Sequence, residues 1–180
     1  VIPRSQLPEE AKAYYRDHAY EFVCTQLVHK TWPKYRPTWQ QKEIFDAISK
    51  YYKVGVASGH GIGKGFVEAC VAIWFQETRP APCRVLCTAP TSRQLKKGMW
   101  PYIKRILDMS YVGGDFEWLA TEVKQLDNPT DNFAAYVASK NYGNIQGAHA
   151  DHLLWILDEA FSIPSEEIWS TIKGSMTQED

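Results

Sequence analysis

Net charge, paired cysteines, long apolar runs and repeats are all scarce or missing in this chain, and each absence removes a class of protein. The formal charge is only −1, so no uniformly basic coat exists, and any contact with nucleic acid has to use local patches. The four cysteines, Cys24, Cys70, Cys83 and Cys87, form no C-x-x-C pair and lie in mostly apolar surroundings. That pattern argues against a structural zinc or a disulfide framework, and predicts reduced core thiols in a cytosolic protein. His149 and His152 stand three apart with no thiolate or further histidine beside them, which is a poor basis for metal ligation. No apolar stretch is long and uncharged enough to span a bilayer, and the first residues show no signal-peptide pattern. What remains is an ordinary globular composition, 44% hydrophobic over 180 residues, enough for one sizeable core.

The most informative segment is Ser58-Gly59-His60-Gly61-Ile62-Gly63-Lys64-Gly65, a glycine-rich turn closed by a lysine. Its spacing fits the phosphate-loop pattern G-x-x-x-x-G-K-[ST] except at the two outer positions, where Ser58 replaces glycine and Gly65 replaces the hydroxyl residue. Phosphates are held in such loops by inward backbone N–H groups, and glycines allow the chain to curl close to an anion. Lys64 would reach the outer phosphates, and a helix beginning near Gly63 would add its N-terminal partial positive charge. The β-prone run 51–58 before the turn and the apolar run 66–75 after it give the required order of strand, loop and helix. Ser58 through Gly65, His60 included, are therefore the candidate nucleotide-binding residues.

A second element lies at Leu153-Leu154-Trp155-Ile156-Leu157-Asp158-Glu159-Ala160, an apolar run of strand length ending in two acids. It matches a Walker B strand: burial explains the apolar run, and carboxylates at its end lie where open α/β sheets bind ligands. Asp158 is the candidate Mg²⁺ ligand. Glu159 is the candidate catalytic carboxylate, orienting or deprotonating water, with Lys64 as its catalytic partner. Around these, helices are expected over residues 8–30, 38–52 with Thr38 as N-cap, and 165–173. Strands are expected over 84–88 and 133–139, with a basic helix carrying Arg93, Lys96 and Lys97 between them and Pro101 kinking or restarting it. Residues 119–126 carry no clear signal. Alternating strands and helices predict an α/β fold with a mostly parallel sheet and helices on both faces.

Arg36-Pro37-Thr38-Trp39-Gln40 precedes the turn, and a Gln40 amide can both donate to and accept from an adenine edge. Thr88-Ala89-Pro90-Thr91 follows a strand where translocating ATPases touch nucleic acid; for Lys96, Lys97, Lys104 and Arg105, such contact and a solvated helix face are equally compatible with the sequence. Together with the Gln146-Gly147-Ala148-His149-Ala150 approach to the acidic pair, these motifs resemble the N-terminal ATPase domain of phage and prophage terminase large subunits, across most of the chain. The resemblance implies a P-loop NTPase (RecA/ASCE-like) three-layer sandwich using ATP and Mg²⁺, with a helical lead-in over 1–52 and the ATPase core over 53–180. It also implies double-stranded DNA, a portal protein and a small terminase subunit as partners, a homo-oligomeric ring, and the cytoplasm of a bacterial host as location. In this family a further strand follows the acidic pair and a nuclease domain follows the ATPase. Asp180 arrives before either, so a C-terminally truncated piece is expected. Alternatives are a superfamily 2 helicase or translocase fragment, and a nucleotide-binding assembly module made hydrolytically weak by Gly65.

Overall fold

The computed structural model describes residues 7–59, 61–138, 149–163 and 166–176. Its organising element is the helix α4 (Lys64–Thr78), preceded by α1 (Glu9–Arg16), α2 (Ala19–Phe22, continued by a π-helical turn at Val23–Leu27) and α3 (Trp39–Ile48). From Ala69 to Thr78 every residue of α4 is buried. A helix apolar all round can be stable only when it is covered all round. One side lies on the sheet, and α1, α2, α3 and α6 cover the rest. The helix stops at Arg79 because Pro80 disfavours helical backbone at the residue before it and offers no N–H.

The remaining elements are β1 (Cys83–Ala89), α5 (Ser92–Lys97), α6 (Met99–Met109), β2 (Phe116–Trp118), β3 (Glu122–Gln125), β4 (Asn132–Ala138), β5 (His152–Leu157) and α7 (Glu166–Met176). Strand order is β2-β3-β4-β1-β5. The central β1 pairs in parallel with both β4 and β5. Its buried Val85, Leu86 and Cys87 suit a strand covered on both faces. The main core lies on the α4 face, while Leu86, Trp155, Ile163 and Ile172 form a smaller cluster on the other. There α7 is tied down by Trp155 Nε1 donating to Ser175 Oγ at 3.0 Å. All four cysteines are buried free thiols. No helix among the described residues is long and apolar enough to cross a membrane.

Three expectations are corrected. The sheet is mixed rather than mostly parallel, because β2–β3 and β3–β4 pair antiparallel. The connections between those strands are too short for the crossover that parallel pairing needs. The strand expected over residues 51–58 is absent: the segment has neither helix nor strand and is exposed, with Tyr52 fully so. Val54 and Val56 have β-propensity, but an extended run gains stability only from a ladder partner, and Gly55 between them weakens it further. The helix expected over residues 8–30 is broken at Asp17–His18. Other expectations hold. Thr38 caps α3, its side chain accepting from Gln41 N while Gln41 Oε1 accepts from Thr38 N. Pro101 sits in the first turn of α6, where its missing N–H costs least.

A buried polar network joins α4 to the antiparallel half of the sheet. Gln76 Nε2 donates to Val123 O at 3.3 Å, Gln125 Nε2 donates to Glu77 Oε2 at 3.2 Å, and Asn132 Nδ2 donates to Gln125 Oε1. Burial pushes the Glu77 carboxyl up to about 7 despite Lys12 at 3.5 Å. Between the ordinary carboxylate range and about 7, the folded state therefore holds a proton that the unfolded chain releases. Stability falls as pH rises through that window and levels off above it. Glu77→Gln should make the decline shallower, as read from thermal melts between pH 4.5 and 8; an unaltered decline would show that Glu77 is ionised when folded.

Candidate functional site

The turn before α4 is shaped by two glycines in left-handed backbone, Gly61 at φ 90° and Gly63 at φ 82°. Side-chained residues adopt this conformation at a cost of about 1–2 kcal/mol, so glycine is the natural occupant. Among the described residues nothing lies within 4 Å of where a Cβ would sit on Gly59 or Gly61, so none of them fills that side of the turn. Lys64 begins α4 at once, and its Nζ lies 3.4 Å from Gly59 O, folded back over the turn. The start of a helix, where backbone N–H groups outnumber their acceptors, and one ammonium therefore lie on the same turn. Ser58, Gly59, Gly61 and Ile62 complete the described part; His60 lies outside the described residues, as does the 144–148 stretch.

The acidic pair reaches this place through the sheet. Parallel pairing of β1 and β5 sets Thr88 opposite Leu157, and Asp158 N donates to Thr88 O at 2.9 Å. Asp158 thus leaves the carboxyl edge beside the end of β1. Burial, followed by the charge of Glu159, raises the Asp158 carboxyl above the usual carboxylate range, while Lys64 is near enough to pull it down. Glu159 has left-handed backbone at φ 50°, the only non-glycine with positive φ among the described residues. Such strain persists where neighbours over-determine it. Here Gln94 Nε2 donates to Glu159 Oε2 at 2.5 Å, and Ser162 N to Glu159 O at 2.8 Å.

Two residues to which the sequence pattern assigns no part belong to this site. Gln41 is buried, and its Nε2 donates to Ile62 O at 2.9 Å, gripping the turn from α3. A Cβ on Gly63 would come within 2.8 Å of that same amide nitrogen, so Gly63 serves the grip as well as the turn. The signal visible in the sequence is the capping pattern Thr38-x-x-Gln41, which places the glutamine on the helix's first turn. Gln40, the expected base contact, is the half-buried preceding residue, beside exposed Trp39. Glu68, one helical turn after Lys64, is pushed up to about 7 by burial and then by the nearby Asp158 charge. Gln94, in the first turn of α5, also joins the site as the partner of Glu159.

The donor set suits a phosphate carried with a divalent cation better than a cation alone. Among the described residues no three His, Cys, Asp or Glu side chains come together as a metal site. An ion at Asp158 would take most of its oxygen ligands from phosphate and water, as Mg²⁺ commonly does. Gly65 contributes no hydroxyl.

Fold and site together define an α/β protein with a nucleotide-compatible site at the carboxyl edge of its parallel strands. In sequence the chain is similar to the "Probable terminase, large subunit" of Enterobacteria phage P7, with 33% identity over 154 residues. That match covers 80% of this chain and 30% of the phage protein, so the chain spans under a third of its relative's length. The resemblance to terminase large subunits is thereby borne out. No protein-family model and no solved structure matches the chain.

Gln41→Ala keeps the backbone donor to Thr38 but removes the side-chain acceptor for Thr38 N and the grip on Ile62, and should lower stability by about 1–2 kcal/mol. Gln41→Glu keeps the acceptor for Thr38 N but loses the donor to Ile62. Urea unfolding of both variants separates the two contributions, and a glutamate variant as stable as the parent would remove the grip on the turn as a stabilising contact.

Proposed function

We propose that this chain is the ATPase portion of a viral DNA-packaging terminase large subunit, binding ATP with Mg²⁺ and coupling hydrolysis to movement of double-stranded DNA into a procapsid. The observation that carries the reading is the convergence of the Gly61–Lys64 turn with Asp158 and Glu159 at one sheet edge, in a chain similar to a probable terminase large subunit. On this reading the fold is a P-loop NTPase core over 53–180 with 1–52 leading into it. The turn N–H groups and Lys64 hold the phosphates, Gln40 is the base contact, and Asp158 is the metal ligand. ATP·Mg²⁺ would supply the phosphoanhydride and the charge that polarises it. The chain's own parts orient: Glu159 accepts a proton from water, and Gln94 fixes that carboxylate before any ligand arrives. Portal, small subunit and ring neighbours are the partners such a motor requires.

Gly65 favours a second reading, a module that holds nucleotide but turns it over weakly. In complete loops the hydroxyl after the lysine is a metal ligand, and phosphoryl transfer depends on such positioning. The turn has room for it: a Cβ on Gly65 would meet the ring of Tyr102 at 3.4 Å, close to ordinary contact.

Lys64→Ala should abolish binding of a fluorescent ATP analogue while leaving the thermal melt unchanged, and full retention of binding would remove the lysine from the site. Gly65→Thr should raise steady-state ATP hydrolysis by about tenfold, the scale of one well-placed ligand at about 1.4 kcal/mol. An unchanged rate would mean the missing hydroxyl does not limit the enzyme.

A further inference from the structure

Charge in this chain is balanced overall but segregated along the sequence. Between Glu77 and Asp108 every acidic or basic side chain is a cation, and the same holds between Glu21 and Glu43. The fold stitches these two windows together. Thr31 Oγ1 donates to Met109 O at 3.2 Å, Lys30 Nζ to Ser110 O at 3.2 Å, and Tyr111 N to Gln26 O at 2.9 Å. Arg105 of α6 lies with its guanidinium 5.8 Å from the centroid of Trp32. Helix α6 buries Met99, Trp100, Ile103, Ile106 and Leu107, which forces Pro101, Lys104, Arg105 and Asp108 onto the outer face at helical spacing.

From this juxtaposition we infer that the outer face of α5 and α6, continued by residues 30–36, is a docking surface for the phosphate backbone of duplex DNA. The surface carries Lys96, Lys97, Lys104, Arg105, Lys34 and Arg36, all exposed. Among the described residues no carboxylate is paired with Lys96, Lys97, Arg105 or Lys34. The lone acid on the α6 face, Asp108, is taken up by Lys104 at 3.0 Å. A shallow cavity of about 570 Å³ is lined by Lys96, Lys104, Arg105 and Asp108 together with Trp118, whose ring is 5.8 Å from Lys104 Nζ. Unpaired cations on flexible stems, spread over two helices and a loop, fit a polyanion with regularly repeated charge rather than one small anion. Half-exposed Trp32 and Tyr102 add amphipathic edges without selecting a sequence. The choice of DNA as the polyanion rests on the packaging reading above, whereas the surface itself rests on the charge pattern and does not involve Lys64.

The test is fluorescence anisotropy of a short labelled duplex with the full-length protein across 50–200 mM salt, without nucleotide. Lys97→Gln/Lys104→Gln/Arg105→Gln should weaken binding by at least about tenfold, and should reduce the slope of log K against log salt by about 0.9 for each phosphate no longer neutralised. Lys96→Gln/Lys97→Gln, which leaves α6 and its Trp32 neighbour intact, should reduce the slope by up to two such steps. Equal affinity and slope in both variants, or no duplex binding by the parent at 50 mM salt, would overturn the surface. Equal competition by polyglutamate would overturn DNA as its occupant. Lys64→Ala should bind duplex like the parent, so a failed nucleotide site and a failed DNA surface remain distinguishable.

Discussion

The parallel pairing of β1 with β5 is the contact on which the site depends. Each strand ends in a turn that carries chemistry, Thr88–Thr91 after one and Asp158–Glu159 after the other, and only parallel alignment puts both turns at the same edge. Asp158 N to Thr88 O closes the register at the point where the strands stop. Beyond it Gln94, the N3 residue of α5 and its capping partner, reaches across to Glu159. A slip of one residue in that pairing would reverse the faces of β5, taking Ile156 out of the main core and Trp155 out of the smaller cluster, so packing on both faces of the sheet holds the acidic pair in place. The same sheet supports α4, whose first residue is Lys64, so core packing sets the distance between lysine and carboxylates.

What could be read from the sequence follows from how local each cause is. The turn at Gly61 and Gly63, the start of α4 at the lysine, the Thr38 cap and the apolar strand ending in Asp158 all depend on neighbours in sequence, and all were legible. The antiparallel β2–β3 unit was not, because β3 has few residues and its register is fixed by β4 rather than by its own pattern. The run at 51–58 misled for the complementary reason: its propensity favours a strand, but it pairs with no strand of the described sheet and leaves β5 as an edge. At the site, adjacent glutamines divided the prediction. The base contact expected at Gln40 is untouched by these contacts, whereas Gln41, one position on, points the other way around the helix and grips the turn. Glu68 carries no motif, since burial and then the charge of Asp158, distant in sequence, set its behaviour.

The electrostatics of the site bear on what it can hold. Among the described residues Lys64 is the one cation acting on Asp158, while Glu159 beside it and Glu68 of α4 add negative charge to the same place. A triphosphate brought alone to that place would meet net negative charge, and helix N–H groups offset only about half a charge. Two features ease this. Burial and the Asp158 charge push the Glu68 carboxyl up to about 7, so it carries only part of a negative charge at neutral pH, and Gln94 donates to Glu159, spreading its charge into a hydrogen bond. On the proposed reading a divalent cation arriving with the phosphates would offset the remainder, with Asp158, close enough to feel the charge of Lys64, as its carboxylate ligand. On this argument Gly65 weakens the hold on the ion rather than on the phosphates. Nucleotide affinity and hydrolysis should then respond differently to a hydroxyl restored at that position, because the lysine and the turn remain whichever residue follows them.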